Sequence, residues 1–422
     1  MKRAAGPAQA VVCDACGERF SAERLLSQCP CGGLLAIEQR PRLRGASLRA
    51  LFEGRRGEDA VGRGSGVWRY RELLLAGRAF VTHPEGNTAL YRREAVAAWA
   101  GVPDLALKHE GENPTGSFKD RGMTVAVTQA VRAGATAVAC ASTGNTSASM
   151  AAYAAQAARP ALVFVPAGRV AAGKLAQSLA YGARTLLVRG DFDACLRLVR
   201  EASERLGIAL LNSINPWRIE GQKTIVLEIL QQRGWDPPAW IAVPAGNLGN
   251  TSAFGKALRE AKALGLIRRV PRLAAIQARG ASPFHRGYRA GFRRRFAVKA
   301  DTVATAIRIG DPASWERAVL AIRETRGVVE AVSDREILEA KAVVDAAGIG
   351  CEPASAAAVA GVRKLRRAGA IRAGESVVAV LTGHLLKDPQ AVIDFHGGGA
   401  RRSNPPVEIA PSLTAVERIL RG

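Results

Sequence analysis

The chain has 422 residues, so two or three folding units are expected. Hydrophobic residues make up 48% and charged residues 23%, a balance that excludes disorder along the whole chain. The formal net charge of +23 indicates a polyanion as one candidate partner. The longest uncharged stretch, 133–158, contains amide and hydroxyl side chains, which excludes it as a membrane span.

Four of the seven cysteines come first in the chain: Cys13, Cys16, Cys29 and Cys31. Two close pairs of thiols offer four soft ligands, the pattern of a small structural zinc ribbon, and four free or redox-active thiols are the alternative. We expect this module over residues 1–38 and an Arg- and Gly-rich linker or wrap over 39–78. The N-terminus has no apolar segment typical of a secretory signal, so we expect a cytoplasmic protein.

From about residue 86, apolar runs alternate with segments of helical period. Predicted strands cover residues 105–108, 137–141, 161–165, 185–188, 209–211, 240–243, 273–277 and 377–381, and predicted helices cover 193–206, 219–232, 314–325 and 334–347. This alternation predicts an α/β fold with mostly parallel strands and helices on both faces. Ligands bind at the carboxyl ends of such strands, so the motifs that follow strands are the candidate sites.

The motif NPTGSFKDRG at 113–122 follows the first of these strands and runs into a helix. Its Lys119 falls in the first helical turn, where the helix dipole disfavours a cation. An amine with a lowered pKa suits a Schiff-base nucleophile, and a solvated lysine at a helix start is the alternative. The motif STGNTS at 142–147 offers hydroxyls and an amide at a strand end, suited to a carboxylate or a ring hydroxyl, unless it only caps a helix.

Two further motifs follow later strands. PAGNLGN at 244–250 has two glycines at a strand-to-helix turn, where free backbone N–H groups suit a phosphate, although a tight turn is an equal alternative. LTGHLLKDP at 381–389 places the neutral hydroxyl of Thr382 at a strand end. His384 in the same motif is more simply a packed histidine than a catalytic base.

Together these motifs resemble the fold type II pyridoxal-phosphate enzymes, and more closely the threonine synthases of the shorter bacterial and archaeal kind. The strings that carry the resemblance are EGNTAL (85–90), LKHEGENPTGSFKDRGM (107–123), STGNTSAS (142–149), GKLAQSLAYGA (173–183), NSINPWRIEGQKT (212–224), PAGNLGN (244–250), CEPASAAAVAG (351–361) and LTGHLLKDP (381–389). Two positions depart from the family pattern, Ala89 in place of proline and Leu385 in place of glycine. Neither departure removes a reactive side chain, because the residues replaced are proline and glycine.

The resemblance implies a fold of two open, twisted, mostly parallel sheets covered by helices on both faces, with the four-cysteine ribbon added. It implies a large cofactor-binding domain over 79–108 and 221–395, a small mobile domain over 109–220, and a C-terminal tail over 396–422. It also implies a homodimer.

The resemblance further assigns roles to residues that match the family motifs. Lys119 would bind pyridoxal 5'-phosphate covalently and act as the acid and base. The other residues implied by the resemblance are Gly246, Asn247, Leu248, Gly249 and Asn250 around the cofactor phosphate, Asn145 and Thr382 on the cofactor ring, Ser142, Thr143 and Thr146 on the substrate carboxylate, and Asn212, Ser213 and Arg218 on the substrate phosphate. The implied reaction converts O-phospho-L-homoserine and water to L-threonine and phosphate, by γ-elimination followed by addition of water at Cβ.

Two alternatives remain at this point. A related pyridoxal-phosphate lyase or synthase, such as a threonine dehydratase or a phosphoserine-using cysteate synthase, would use the same motifs. A nucleic-acid-binding protein would account for the ribbon, the net charge and the arginine-rich run at 286–295, but it leaves the four clustered motifs unexplained.

Overall fold

The computed structural model describes residues 9–56, 64–75, 77, 79–168, 172–190, 192–399 and 402–421. Its strands are β1 Gln9–Cys13, β2 Arg19–Phe20, β3 Leu35–Gln39, β4 Leu90–Arg92, β5 Leu105–His109, β6 Ala137–Cys140, β7 Ala161–Pro166, β8 Arg184–Val188, β9 Ile208–Leu210, β10 Trp240–Pro244, β11 Arg272–Ala278, β12 Val328–Val332 and β13 Val377–Leu381. Its helices are α1 Gly45–Glu53, α2 Glu94–Ala100, α3 Lys119–Arg132, α4 Asn145–Gln156, α5 Ala172–Ala180, α6 Phe192–Leu206, α7 Pro216–Gln232, α8 Gly249–Ala263, α9 Pro283–Arg289, α10 Trp315–Glu324, α11 Asp334–Ala346, α12 Pro353–Arg367, α13 Pro389–Gly397 and α14 Leu413–Arg421. None of the described helices is both long enough and apolar enough to cross a membrane.

The strands form three sheets. The large sheet has the order β12-β11-β10-β13-β5-β4, and all its neighbouring strands are parallel except β4 and β5. The small sheet has the order β8-β7-β6-β9 and is parallel throughout. The ribbon sheet, β2-β1-β3, is antiparallel. The predicted fold of two mostly parallel sheets is therefore confirmed.

Both faces of the large sheet are covered by helices because its strands are apolar on both sides. In β10, Ile241 and Val243 belong to the hydrophobic core on one face, together with residues of α7, α8 and α10. Trp240 and Ala242 belong to the core on the other face, with residues of α2, α11 and α12. This layering fixes the carboxyl ends of the strands along one edge, where the candidate motifs lie.

The predicted strands and helices agree closely with the structure, and β13 agrees at both ends. Within the segment predicted as a linker or wrap, the structure forms α1, in which Leu48 and Phe52, one helical turn apart, are both fully buried. Within the predicted tail, α14 is an exposed amphipathic helix. The division into a large domain and a small mobile domain remains a prediction.

Candidate functional site

Lys119 lies where the two larger sheets meet. It is the first residue of α3, and the residue before it, Phe118, donates its backbone N–H to the Thr382 carbonyl, 3.0 Å away, at the end of β13. The Lys119 Nζ atom lies 3.8 Å from the centre of the Phe118 ring. Burial, together with the positive charge of Arg218, lowers the pKa of Lys119 to about 7, and Glu352 acts in the opposite direction. A neutral amine at this position is a competent nucleophile.

Asp120 fastens the beginning of α3 to the loop before it and to α4. Its carboxylate accepts hydrogen bonds from the Thr115 N–H at 2.7 Å, the Thr115 hydroxyl at 2.6 Å and the Ser149 hydroxyl at 2.5 Å. Burial raises the pKa of Asp120 to about 6, although these three hydrogen bonds favour the charged form. Lys119 is therefore attached to a rigid helix start.

The glycine loop between β10 and α8 has an unusual backbone. Leu248, the residue that precedes α8, has a φ of 64°, a left-handed conformation that is uncommon for a residue with a Cβ. A Cβ at Gly246 would lie 2.9 Å from the Ile307 Cα atom, so only glycine fits there. Asn247 fixes the loop, because its side chain donates to the Ser213 hydroxyl at 2.6 Å and accepts from the Ala313 N–H at 2.7 Å.

The N-terminus of α8 also holds buried polar atoms without a partner. Within the described part of the chain, the Asn250 Oδ1 and Thr251 Oγ1 atoms are buried and accept or donate no hydrogen bond, and the same is true of the nearby Gln222 Oε1. Gln222 lies beside the start of α8: a Cβ built on Gly249 would be 3.4 Å from the Gln222 Oε1 atom. Buried polar atoms of this kind are costly without a partner. They indicate that a polar ligand belongs at this helix start, where the Thr251 hydroxyl and the backbone N–H groups can donate to an anion and the two amide oxygens can accept from a donor.

Arg218 is a buried cation with little internal compensation. Its side chain is 1% exposed, Nη1 donates to the Leu211 carbonyl at 3.1 Å, and Nε has no partner among the described residues. Burial lowers its pKa to about 10. Asn212 and Ser213 precede it, but Asn212 Oδ1 accepts from the Ala141 N–H at 3.0 Å, and Ser213 accepts from the glycine loop. These two bonds link the segment before α7 to the end of β6 and to the glycine loop before α8.

The polar turn after β6 lies at the N-terminus of α4. Ser142, Thr143, Asn145 and Thr146 are all half-buried, and the Ser142 hydroxyl accepts from the Gly144 N–H at 3.3 Å. The Asn145 side chain crosses to the large sheet, where Nδ2 donates to Glu352 at 3.1 Å. Thr382 contacts the same carboxylate. Glu352 is therefore in direct contact with two of the predicted site residues, although the sequence assigned it no role.

The sequence motifs also did not predict a buried ionic cluster, which involves the first turn of α3 beside Lys119. Arg121 forms a bidentate ion pair with Glu110, at 2.6 and 2.8 Å, and also contacts Glu228 at 2.8 Å. Lys108 and Arg69 bind the same Glu228 carboxylate. Burial alone would raise the pKa of Glu228, but the three cations hold it well below its usual range. This cluster ties α3 to β5 and α7.

The four N-terminal cysteines converge on one point. Their sulfur atoms all lie within 4.8 Å of one another, and the pairs 13–31, 16–29 and 16–31 are separated by 3.5, 3.7 and 3.5 Å. Four sulfurs bound tetrahedrally to one zinc ion would be about 3.8 Å apart. The backbone N–H groups of Ala15 and Gly33 each donate to a thiol sulfur at 3.4 Å. The cluster could therefore hold a metal ion.

Contacts on two sides attach the ribbon to the rest of the molecule. The Gln129 side chain, on the helix that begins with Lys119, donates to the Ala22 carbonyl. Asp14 forms an ion pair with Arg317 of α10. The ribbon core also packs with buried residues of α3 and of the small sheet.

The structure brings most of the predicted ligand residues into linked contacts. Phe118, next to Lys119, bonds Thr382; Thr382 and Asn145 share Glu352; Asn247 bonds Ser213; and Arg218 acts electrostatically on Lys119. No sequence signal distinguished Glu352 or Glu228 from surface acids.

Comparison with known proteins identifies the family of the chain. Residues 81–383 match the family described as pyridoxal-phosphate dependent enzymes, which defines the class. Threonine synthase from Methanosarcina acetivorans is 47% identical over 90% of this chain and 93% of its own length. Threonine synthase from Methanocaldococcus jannaschii is 43% identical over 97% of this chain and 98% of its own length. The crystal structure of threonine synthase from Escherichia coli, 18% identical, has the same fold with a TM-score of 0.68 over 98% of this chain and 99% of that one.

The chain therefore belongs to the pyridoxal-phosphate dependent enzymes and, within that family, to the threonine synthases.

Proposed function

We propose that this chain converts O-phospho-L-homoserine and water to L-threonine and phosphate, as a carbon–oxygen lyase that uses pyridoxal phosphate. The observation that carries this proposal is the pairing of Lys119 with Arg218. An amine whose pKa is about 7 lies within electrostatic reach of a buried guanidinium whose Nε has no partner among the described residues. A covalent cofactor site beside a site for a phosphorylated substrate explains both groups.

The residues of the glycine loop fit the cofactor. The left-handed backbone at Leu248, the missing Cβ at Gly246 and the partnerless hydroxyl of Thr251 together make a concave anion site at the start of a helix. We propose that Gly246, Asn247, Leu248, Gly249 and Asn250 hold the cofactor phosphate there. When bound, the cofactor supplies the electron sink that makes the substrate Cα–H acidic.

The remaining roles concern protons and orientation. Lys119 takes the Cα proton of the substrate and later returns it, which requires a pKa near neutrality. Asn145 donates to the ring hydroxyl oxygen, and Thr382 offers the ring nitrogen a neutral partner. A neutral partner leaves that nitrogen largely unprotonated, so the choice of reaction rests with the protein.

The substrate is held at both ends. We propose that Ser142, Thr143 and Thr146, at the N-terminus of α4, bind its carboxylate. Arg218 binds its phosphate, because a planar guanidinium matches a phosphate dianion, and Asn212 and Ser213 line the same loop. The departing phosphate therefore leaves towards a buried cation, which stabilises the developing charge.

The proposal is tested with the purified protein and phosphohomoserine. We expect phosphate release with L-threonine as the product, and neither activity nor visible cofactor absorbance in Lys119→Ala. Arg218→Ala should raise the KM for phosphohomoserine by at least about tenfold while the cofactor still binds. Visible absorbance and turnover in Lys119→Ala, or an unchanged KM in Arg218→Ala, would contradict these assignments. Faster phosphate release from phosphoserine than from phosphohomoserine would instead identify a related synthase.

We also propose that the cysteine cluster of the ribbon binds one structural zinc ion. The sulfur separations and the two N–H donors support this assignment, and four thiolates leave no position open for catalysis. Metal analysis should find about one zinc per chain. Cys31→Ser should lose it, whereas Ser27→Ala, a control in the same loop, should retain it.

We further propose that the chain is a cytoplasmic homodimer, as the family resemblance implies, with residues 109–220 as a mobile small domain. Sedimentation of the holoenzyme at two protein concentrations tests the dimer.

A further inference from the structure

Glu352 connects the two residues assigned to the cofactor ring. It precedes α12 and is 4% exposed. Its Oε2 atom accepts a hydrogen bond from Asn145 Nδ2 at 3.1 Å, and its Oε1 atom accepts from the Thr382 hydroxyl at 3.4 Å. Asn145 begins a helix that follows a strand of the small sheet, whereas Thr382 follows β13, one of the two middle strands of the large sheet. One carboxylate therefore spans the two sheets at the ring site.

The backbone around Glu352 holds the carboxylate in this place. The Glu352 N–H donates to the Gly383 carbonyl at 3.1 Å, and Pro353 fixes the start of the helix. A Cβ at position 383 would lie 2.6 Å from both Cδ and Oε1 of Glu352. The carboxylate thus packs directly against a bare backbone, and any larger residue at Gly383 would displace it.

The hydrogen-bond directions around Thr382 follow from a short chain of donors. The Gly383 N–H donates to the Ser355 hydroxyl at 2.9 Å, and the Ser355 Oγ lies 3.0 Å from the Thr382 Oγ1. Ser355 has one hydroxyl proton, and its Oγ lies closer to Thr382 than to the Gly383 carbonyl at 3.4 Å, so it can donate to Thr382. When Ser355 donates in this way, the Thr382 hydroxyl keeps its own proton for Glu352, 3.4 Å away, or for a ligand.

Glu352 fixes the direction of the Asn145 amide in the same way. A carboxylate accepts hydrogen bonds only, so the Nδ2 side of Asn145, and not Oδ1, faces Glu352. Nδ2 carries two protons, and one remains after the bond to Glu352 is made. Asn145 therefore keeps one Nδ2 proton for a ring hydroxyl oxygen, and the single Thr382 proton, whose contact with Glu352 is 3.4 Å, is available to an unprotonated ring nitrogen.

We propose that Glu352 is a positioning residue for the cofactor ring, which holds the Asn145 amide and the Thr382 hydroxyl in the separation and orientation that the ring requires. This inference rests on the proposed function, because the ring-binding roles of Asn145 and Thr382 are part of it. Glu352 takes no part in the chemical steps and acts on the cofactor ring through these two neighbours. Burial raises the pKa of Glu352, and the hydrogen bond from Asn145 and the positive charges of Lys119 and Lys387 act in the opposite direction.

The test measures cofactor binding instead of turnover. Apoprotein of the wild type, Glu352→Gln and Glu352→Ala is titrated with pyridoxal phosphate, and the visible absorbance gives Kd and the band position. Glutamine keeps one acceptor oxygen, so we expect Kd to rise about tenfold, the effect of one hydrogen bond, and alanine to raise it further. Glu336→Gln is the matched control, because Glu336 also accepts hydrogen bonds at a helix start, and its Kd should stay within about twofold of wild type.

A double mutant separates positioning from general stability. If Glu352 acts through Asn145, the pair Asn145→Ala and Glu352→Gln should raise Kd by clearly less than the product of the single effects. Independent, multiplicative effects would overturn the inference, as would a Kd for Glu352→Gln within about twofold of wild type and an unmoved absorbance band. Glu352→Gln preserves side-chain volume and decides the question if Glu352→Ala fails to fold. Absence of visible lysine-bound cofactor in the wild type would instead overturn the proposed function.

Discussion

The pKa of Lys119 determines how fast the apoprotein bonds the cofactor aldehyde, because only the neutral amine attacks it. With a pKa of about 7, half of the amine is neutral at pH 7. An ordinary lysine with a pKa of 10.5 is neutral in only about one molecule in 3,000 at that pH. The buried environment therefore raises the reactive fraction by roughly a thousandfold, and the bonding rate should rise with pH through about 7 and then level off.

Two substitutions should move this midpoint in opposite directions. Arg218→Met removes the positive charge that lowers the Lys119 pKa, so the midpoint should move to higher pH. The first unit of such a shift lowers the neutral fraction at pH 7 roughly fivefold. Glu352→Gln removes the negative charge that raises the same pKa, so its midpoint should move to lower pH.

The assay mixes apoprotein with pyridoxal phosphate and follows the visible absorbance from about pH 5.5 to 9.5, a range that brackets the expected midpoint. The control is Arg335→Met, whose side chain is 87% exposed, and its profile should match that of the wild type. A wild-type midpoint near 10 would refute the buried-amine argument. Shifts of the same sign in Arg218→Met and Glu352→Gln would refute the electrostatic assignment.

Three further predictions concern packing and the contacts between the sheets. Gly246→Ala places a Cβ 2.9 Å from the Ile307 Cα, so the cofactor Kd in an absorbance titration should rise at least about tenfold, and an unchanged Kd would exclude this loop as the phosphate site. Glu228→Gln breaks a buried ionic cluster, and urea unfolding should show a loss of about 3–5 kcal/mol; a loss below about 1 kcal/mol would contradict the assigned network. Lys387→Met removes the hydrogen bond to Gln177 that joins the β13 loop to α5, so urea unfolding should show a loss of about 0.5–1.5 kcal/mol, whereas an unchanged unfolding free energy would show that this bond does not stabilise the contact.

Strands that are continuous apolar runs between turn residues could be predicted from the sequence. The segment Val377–Leu381 is such a run, and it was predicted to the residue. Val328–Val332 was missed because Glu330 interrupts a short run, and only the fold shows that this side chain pairs with Lys364. In the same way, the short helix Gly45–Glu53 lies in an Arg- and Gly-rich segment whose composition hides two buried residues one turn apart.

The residues of the candidate site also fall into two groups, those with a local sequence signal and those defined by long-range contacts. Lys119 and the glycine loop are local signals, because a strand end, a turn and a helix start lie together in the sequence. Glu352 has meaning only through a partner 207 residues away, Asn145. From the sequence, it is an acid beside a helix-starting proline, which describes many exposed caps equally well. Long-range pairing of buried charges is therefore what sequence patterns could not supply.

The position of β13 has a consequence for the order in which the chain can fold during synthesis. This strand lies between β10 and β5, yet it is the last of the described strands to leave the ribosome. The small sheet can form while translation continues, but β5 and β10 wait with unpaired edges, which are prone to aggregation. The loop of Lys119 lacks its Thr382 partner until then. A chain that ends before β13 therefore cannot bond Phe118 to Thr382, so the loop of Lys119 is fixed only after this strand has been made.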